Sequence, residues 1–203
     1  MIHARGAGSS IAVELNKLHP VRPVWRADPI PLDGDRYLFC QGIIQQKRPV
    51  DQTSVEMLHT FWVNCARTIQ ECDRLLDVNP KARICVVGSE SAFKGSFDGI
   101  YAAAKAGIHR YVETKRLKYS GQQLVCVAPT CILGTGMNEQ RNEDGKAALE
   151  ARRIKHPKQR WLEPIEVATL IHFLLFVDEG YITNVVIRVN GGEHTRLGGV
   201  NCV

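Results

Sequence analysis

The sequence predicts an α/β fold built on an open, doubly wound parallel sheet. Two observations carry this. Short apolar runs at residues 37–40, 84–87, 124–128 and 184–189 suit strands buried on both faces, and longer segments with helical spacing separate them. Such alternation implies crossover connections and so parallel strands. The strand-like runs also lead into small or polar residues: Gly6, Gln41 and Gly42, Gly88 and Ser89, Pro129 and Thr130, Gly191 and Gly192. Sheets of this kind bind ligands at the carboxyl ends of their strands.

The elements follow in order. Residues 1–12 begin apolar and pass through Gly6 and Gly8 into a helix over 11–18. Strand, glycine turn and helix can cradle a phosphate, because the helix N-terminus offers free N–H groups and glycine allows close approach. An ordinary turn has the same composition. Val24, Trp25 and Arg26 read as a short strand, with a turn at Asp33 and Gly34. Thr53 or Ser54 caps a helix over 54–77, stopped by Asn79 and Pro80. After the strand at Ile84 comes a helix from near Ser96 to Tyr119. The polar, basic stretch 136–156 holds a helix over 144–155. Pro164 opens an apolar helix through Phe176.

At 203 residues one domain is expected, large enough to bury a core without disulfides. Apolar content of 44% and charged content of 23% are those of a globular protein. No apolar run approaches the roughly 20 residues that span a bilayer, and no secretory signal is visible. The seven cysteines are scattered without a C-x-x-C pair, which suits free thiols in the cytoplasm and no metal site. The net charge of +5 mildly favours anionic ligands such as a dinucleotide. Arg110, Lys115, Arg116 and Lys118 read as a solvated helix face rather than a nucleic-acid patch, and no membrane partner is expected.

Tyr101 and Lys105 stand four apart, on one face of a helix. The ammonium should favour the phenolate and pull the tyrosine down from about 10. A tyrosine tuned this way exchanges a proton with a carbonyl or alcohol oxygen. Ser89 can supply a second hydrogen bond to that oxygen, and Ser91 is its rival. The bland alternative is an exposed i, i+4 pair. Asn64 in mid-helix costs propensity, which hints at a role. His109, His156 and His172 read as helix residues without partners at ligand spacing.

On these residues the chain resembles the short-chain dehydrogenase/reductase family over nearly its whole length. Tyr101 and Lys105 form its Y-x-x-x-K motif, with Ser89 after the V-V-G strand upstream. Phe61 to Asn64, Tyr37 to Gly42, Val127 to Thr130, Arg160 to Ala168 and Val189 to Gly192 match further family patterns. The resemblance implies a Rossmann-like NAD(P)-binding domain over 1–203, with NADP slightly favoured over NAD. It implies Tyr101 as general acid/base and Lys105 lowering its pKa while holding the nicotinamide ribose. Ser89 polarises the substrate oxygen, and Asn64 anchors a water on the way to Lys105. Cofactor contacts are implied at Gly6, Ser9, Ser10, Ile11, Gln41, Gly42, Pro129, Ile132 and Thr135. Arg26, or else Arg5, would pair with a 2′-phosphate, and Asp28 would reach the adenine or a ribose. Residues 136–160 would form a substrate-side lid, whose charge suits a small polar carbonyl compound or its alcohol. His194 would approach the substrate. The helices over 54–77 and 96–119 would pack in a homodimer or homotetramer.

Three departures stand out. Ser10 and Ala12 replace two glycines of the family's turn. The stretch from Ala7 to Gln41 is much shorter than usual, so the second and third strands and their helix should be mostly missing or shortened. Cys40 and Gln41 replace Asn-Ala. The alternatives are a nucleotide-binding sensor or scaffold without turnover, or an epimerase or dehydratase on the same fold.

Overall fold

A computed structural model describes residues 1–24, 28–134, 136 and 143–193. Its centre is a parallel sheet of β1 (Ile2–Arg5), β2 (Val21–Val24), β3 (Arg36–Phe39), β4 (Arg83–Val87), β5 (Gln123–Pro129) and β6 (Val185–Val189). The strand order is β2-β1-β3-β4-β5-β6. Side chains alternate across it with the strand period of two. Leu38, Cys85, Val125 and Val127 join one apolar layer with α1 (Ser10–Leu18) and α7 (Pro164–His172). Tyr37, Phe39, Ile84, Val86, Leu124 and Cys126 join the other, with Leu75 and Leu76 of α3 (Arg67–Val78) and Ile108 and Val112 of α5 (Gly99–Thr114). Each fully buried Leu, Ile or Val contributes about 1.5–3 kcal/mol, so these layers make the sheet a firm platform for the loops at its edge.

Ser9 caps α1, its Oγ accepting from the Ala12 N–H at 3.2 Å. The long helix expected over 54–77 is α2 (Ser54–Phe61), a π-turn at Trp62–Ala66, and α3. Thr53, not Ser54, is its cap, closing a capping box with Glu56. A short α4 (Ser91–Lys94) precedes α5, and α6 (Glu143–Lys155) follows β5, with its Arg152 lining the cavity described below.

Two expectations need correction. The helix predicted over 96–119 runs from Gly99 to Thr114, because buried Asp98 accepts the N–H groups of Ile100 and Tyr101 at 3.1 and 3.2 Å and starts it there. Lys115, Arg116 and Lys118 therefore lie past its end, and Lys115 pairs with Asp73. The N-terminal abbreviation also spares the second strand. β2 pairs with β1 in parallel from Ile2↔Val21 to Arg5↔Val24, and among the described residues the sheet ends there. Trp25 and Arg26 lie outside the described residues.

The chain leaves β1 toward β2 on one side and continues from β3 to β6 on the other. The order thus reverses between β1 and β3, and a crevice opens at their carboxyl ends. No described helix is long and apolar enough to cross a membrane.

Candidate active site

Two cavities, of about 820 and 660 Å³, meet over the ends of β1 and β3 at Gly8, Ser9 and Cys40 to Gly42. Gly6 takes φ +82°, and a Cβ there would lie 2.6 Å from the Gln41 nitrogen. Only glycine lets the two loops close that far. A Cβ on Gly8 would meet nothing within 4 Å, so room remains in front of the α1 N-terminus. The elongated crevice, the open glycine and the helix N-terminus together fit a dinucleotide.

The larger cavity gathers Ser9, Ser10, Ile11, Gln41, Gly42, Ser89, Tyr101, Lys105, Pro129 and Ile132, all expected from the sequence. Gly6 lines the smaller one. Thr135 and His194 lie outside the described residues, as does most of the first part of the expected lid, residues 137–142.

Tyr101 and Lys105 are both buried, so the pair is not a surface decoration. Lys105 Nζ donates to the Val87 carbonyl at 2.9 Å and lies 5.8 Å from the Tyr101 ring centroid. Burial pulls Lys105 down to about 8. The expected downward shift of Tyr101 is reversed: burial raises it, the hydrogen bond with Ser89 offsets part of this, and the Asp98 charge adds to the rise. Ser89 Oγ accepts from the Ser91 N–H at 3.1 Å, which leaves its hydroxyl proton available to donate. Ser91 thus supports Ser89.

His109 is a buried partner in this group, a role that the sequence reading did not assign to it. Its Nε2 accepts from the Ser89 N–H at 3.3 Å, and burial, with Lys105 second, lowers it to about 4. Its position one turn beyond Lys105 was the available signal. His156 is also buried, with Nδ1 accepting from the Lys158 N–H and Nε2 donating to the Asn190 carbonyl.

Asn64 sits in the π-turn and is fully engaged. Its Nδ2 donates to the Ile43 and Thr60 carbonyls, both at 2.8 Å, and its Oδ1 accepts from the Ile43 N–H at 3.2 Å. Its side chain therefore clamps the loop after β3 onto the helix. Asp98, missed from the sequence, works beside it. It accepts from the Gln45 N–H at 2.9 Å and Gln52 Nε2 at 3.0 Å while capping the helix that carries Tyr101.

At the far end, Arg5 does not suit a 2′-phosphate. Its guanidinium is buried, with Nε on Glu71 at 2.6 Å and Nη2 on the Asp28 carbonyl at 2.7 Å, so its charge is met internally. Asp28 is exposed and holds Arg5 through its backbone. Arg67 lines the smaller cavity and reaches Glu71 at 3.2 Å, giving this end a cation that the sequence did not single out.

The family profile described as Enoyl-(Acyl carrier protein) reductase matches residues 35–194. An acetoacetyl-CoA reductase from Allochromatium vinosum is 29% identical over 78% of this chain and 65% of its own length. A 3-oxoacyl-[acyl-carrier-protein] reductase from Vibrio harveyi is 34% identical over 55% of this chain and 46% of its own. The chain thus spans about half to two-thirds of the length of these curated relatives. The crystal structure of a glucose/ribitol dehydrogenase from Brucella melitensis shares the fold, with TM-score 0.80 and 19% identity over 95% of this chain and 96% of that one. With the profile covering most of the sequence and Tyr101, Lys105 and Ser89 lining one cavity, the chain belongs to the short-chain dehydrogenase/reductase family.

Proposed function

We propose that the protein is a cytoplasmic NAD(P)-dependent oxidoreductase that reduces a small polar carbonyl compound or oxidises the matching alcohol. The observation that carries this reading is the shared cavity of Ser89, Tyr101 and Lys105 with the glycine turn of a dinucleotide crevice. When bound, NAD(P)H supplies the hydride. The chain's own residues hold the carbonyl and manage the proton. The Tyr101 phenol, kept protonated by burial, donates to the carbonyl oxygen as charge develops there. The Ser89 hydroxyl donates a second hydrogen bond to that oxygen. The Lys105 ammonium supports the phenol and would hold the ribose hydroxyls of the cofactor. Asn64 and Asp98 keep the intervening loop and helix in register. The chain is read as one NAD(P)-binding domain, with the described residues 143–160 toward the substrate side. Exposed Val55, Leu58, Phe61 and Trp62 suit a second copy of the chain in a homodimer or homotetramer.

The test is a titration with NADH and NADPH followed by fluorescence, then a panel of carbonyl compounds assayed by loss of reduced-cofactor absorbance. Wild type should turn over members of the panel and Tyr101→Phe should not. Binding without turnover would favour a nucleotide sensor, and binding of neither cofactor would sink both readings.

A further inference from the structure

Three donors from separate elements converge on one carboxylate at the cavity rim. Glu193, just past β6, accepts from Lys94 Nζ of α4 at 2.8 Å, Arg152 Nη2 of α6 at 2.7 Å and Thr130 Oγ1 beyond β5 at 2.5 Å. Lys94, Arg152 and Thr130 also line the cavity that holds Tyr101. The Glu193 side chain is 14% exposed. Burial opposes its charge, yet the three donors hold it at about 2, so it is ionised throughout the neutral range.

The charges do not balance. Among the described residues, two cations face the one Glu193 carboxylate, an excess of one positive charge in this cluster. The neighbouring pair does not remove it, because Arg188 and buried Glu90 neutralise each other through two bonds of 2.8 Å. A lysine carries three donors and an arginine five, so both cations keep donors beyond those spent on Glu193. A simple latch for α6 would need one ion pair. Two cations and a hydroxyl arranged around a planar carboxylate make a carboxylate site that the chain's own side chain already demonstrates.

We infer that the substrate is an oxo acid, or the matching hydroxy acid, whose carboxylate is received by Lys94, Arg152 and Thr130 beside Glu193. This rests on the reading of the site as a carbonyl/alcohol oxidoreductase. In the reductive direction the carbonyl carbon gains a hydride from NAD(P)H and the oxygen gains the Tyr101 proton, giving hydroxy acid and NAD(P)⁺. The carboxylate keeps its charge and serves only to orient the molecule.

Two arms test this. In the first, the NADPH-loaded protein is titrated with glutarate, a dicarboxylate without a reducible carbonyl, by calorimetry. Glu193→Gln, which frees the cations, should bind it about tenfold tighter than wild type, and Lys94→Gln and Arg152→Gln at least about fivefold weaker. In the second, 2-, 3- and 4-oxo acids are assayed beside their methyl esters. Wild type should prefer acid over ester by about tenfold or more in kcat/KM, and Lys94→Gln should erase most of that preference through KM. Circular dichroism and melting check that these partly exposed positions leave the fold intact. Equal turnover of acids and esters, or glutarate binding untouched by all three substitutions, would overturn the inference and leave Glu193 as a latch. If NADPH binds but nothing in the panel is reduced, the oxidoreductase reading fails, while the glutarate arm still decides the anion site.

Discussion

Lys105 Nζ donates to the Val87 carbonyl at 2.9 Å, buried among neighbours that include the thiols of Cys40, Cys65 and Cys126. Burial lowers the lysine from 10.5 to about 8. Tyr101 shifts the opposite way, so it cannot produce an ionisation there. The kcat/KM for carbonyl reduction should therefore be flat below pH about 8 and fall above it as Lys105 loses its charge. Lys105→Arg, which stays charged, should move that limb upward. Stability follows the reverse sign: between pH 8 and 10.5 the unfolded chain holds a proton that the folded chain has lost, so this contribution rises with pH. A pH–rate profile unchanged by Lys105→Arg would remove the lysine from the mechanism.

Tyr101→Phe should lower turnover by about 10²–10⁴-fold, the usual worth of a positioned acid or base. NADPH affinity, read by fluorescence titration, should stay within about threefold, since uniform binding and proton transfer are separable. Ser89→Ala removes one donor to the same oxygen and should cost about 10²-fold in kcat. A loss below tenfold in Tyr101→Phe would mean that another group delivers the proton.

The two glycines of the first turn should separate stability from binding. In Gly6→Ala the methyl would meet the Gln41 nitrogen at 2.6 Å and the Cys40 carbonyl carbon at 2.8 Å, at φ +82°. Urea unfolding should show a loss of about 1–3 kcal/mol. Gly8→Ala meets nothing within 4 Å and should stay within about 0.5 kcal/mol of wild type. Its methyl should instead crowd the phosphates and weaken NADPH binding. Equal stability losses in both variants would contradict this division.

Asp98→Ala should be damaging well beyond its own helix cap. Its carboxylate serves Gln45, Gln52, Ile100 and Tyr101, all in buried or partly buried bonds. Stranding those donors should cost about 2–4 kcal/mol. Asp98→Asn, which keeps one acceptor oxygen, should recover part of the stability and of kcat. A neutral Asp98→Ala would show that the loop after β3 is held by Asn64 alone.

The sheet was legible because strands buried on both faces leave uninterrupted apolar runs, and because loops at their ends collect small residues. Tyr101, Lys105 and Ser89 were legible from local spacing. What escaped depends on distant contacts or on burial. Nothing near Arg5 announces Glu71, and only the folded chain shows that this arginine is spent on an internal ion pair. Asn64 betrayed itself by poor helix propensity, but its partner Ile43 is set by tertiary structure. The direction of the Tyr101 shift was misread because spacing reveals the neighbouring charge and not the desolvation of both groups. Asp98 was a readable cap signal before Gly99, and placing the helix start at Ser96 hid it.

His109 provides a test of the site's foundations that needs no substrate. It is 5% exposed, accepts from the Ser89 N–H, and fits only because residue 88 is glycine: a Cβ there would lie 2.2 Å from its Nε2. Burial and the Lys105 charge hold it at about 4, against an ordinary 6.5. Between those values the unfolded chain binds a proton that the folded chain refuses. Stability is therefore intact above pH 6.5 and lost as pH falls toward 4, by on the order of 3 kcal/mol at the limit. Urea midpoints measured from pH 7.5 to 4 should fall in wild type. His109→Gln, which keeps an acceptor for Ser89 and does not titrate, should fall less steeply. His3 and His19, also lowered by burial, leave a residual slope in both proteins. Glu193 and the Arg160-paired Glu166, each at about 2, act below pH 4.5 and stay outside most of the window. Superimposable curves for wild type and His109→Gln would mean that His109 takes up its proton at the same pH in the folded and the unfolded chain, so that burial does not hold its ring neutral against Ser89.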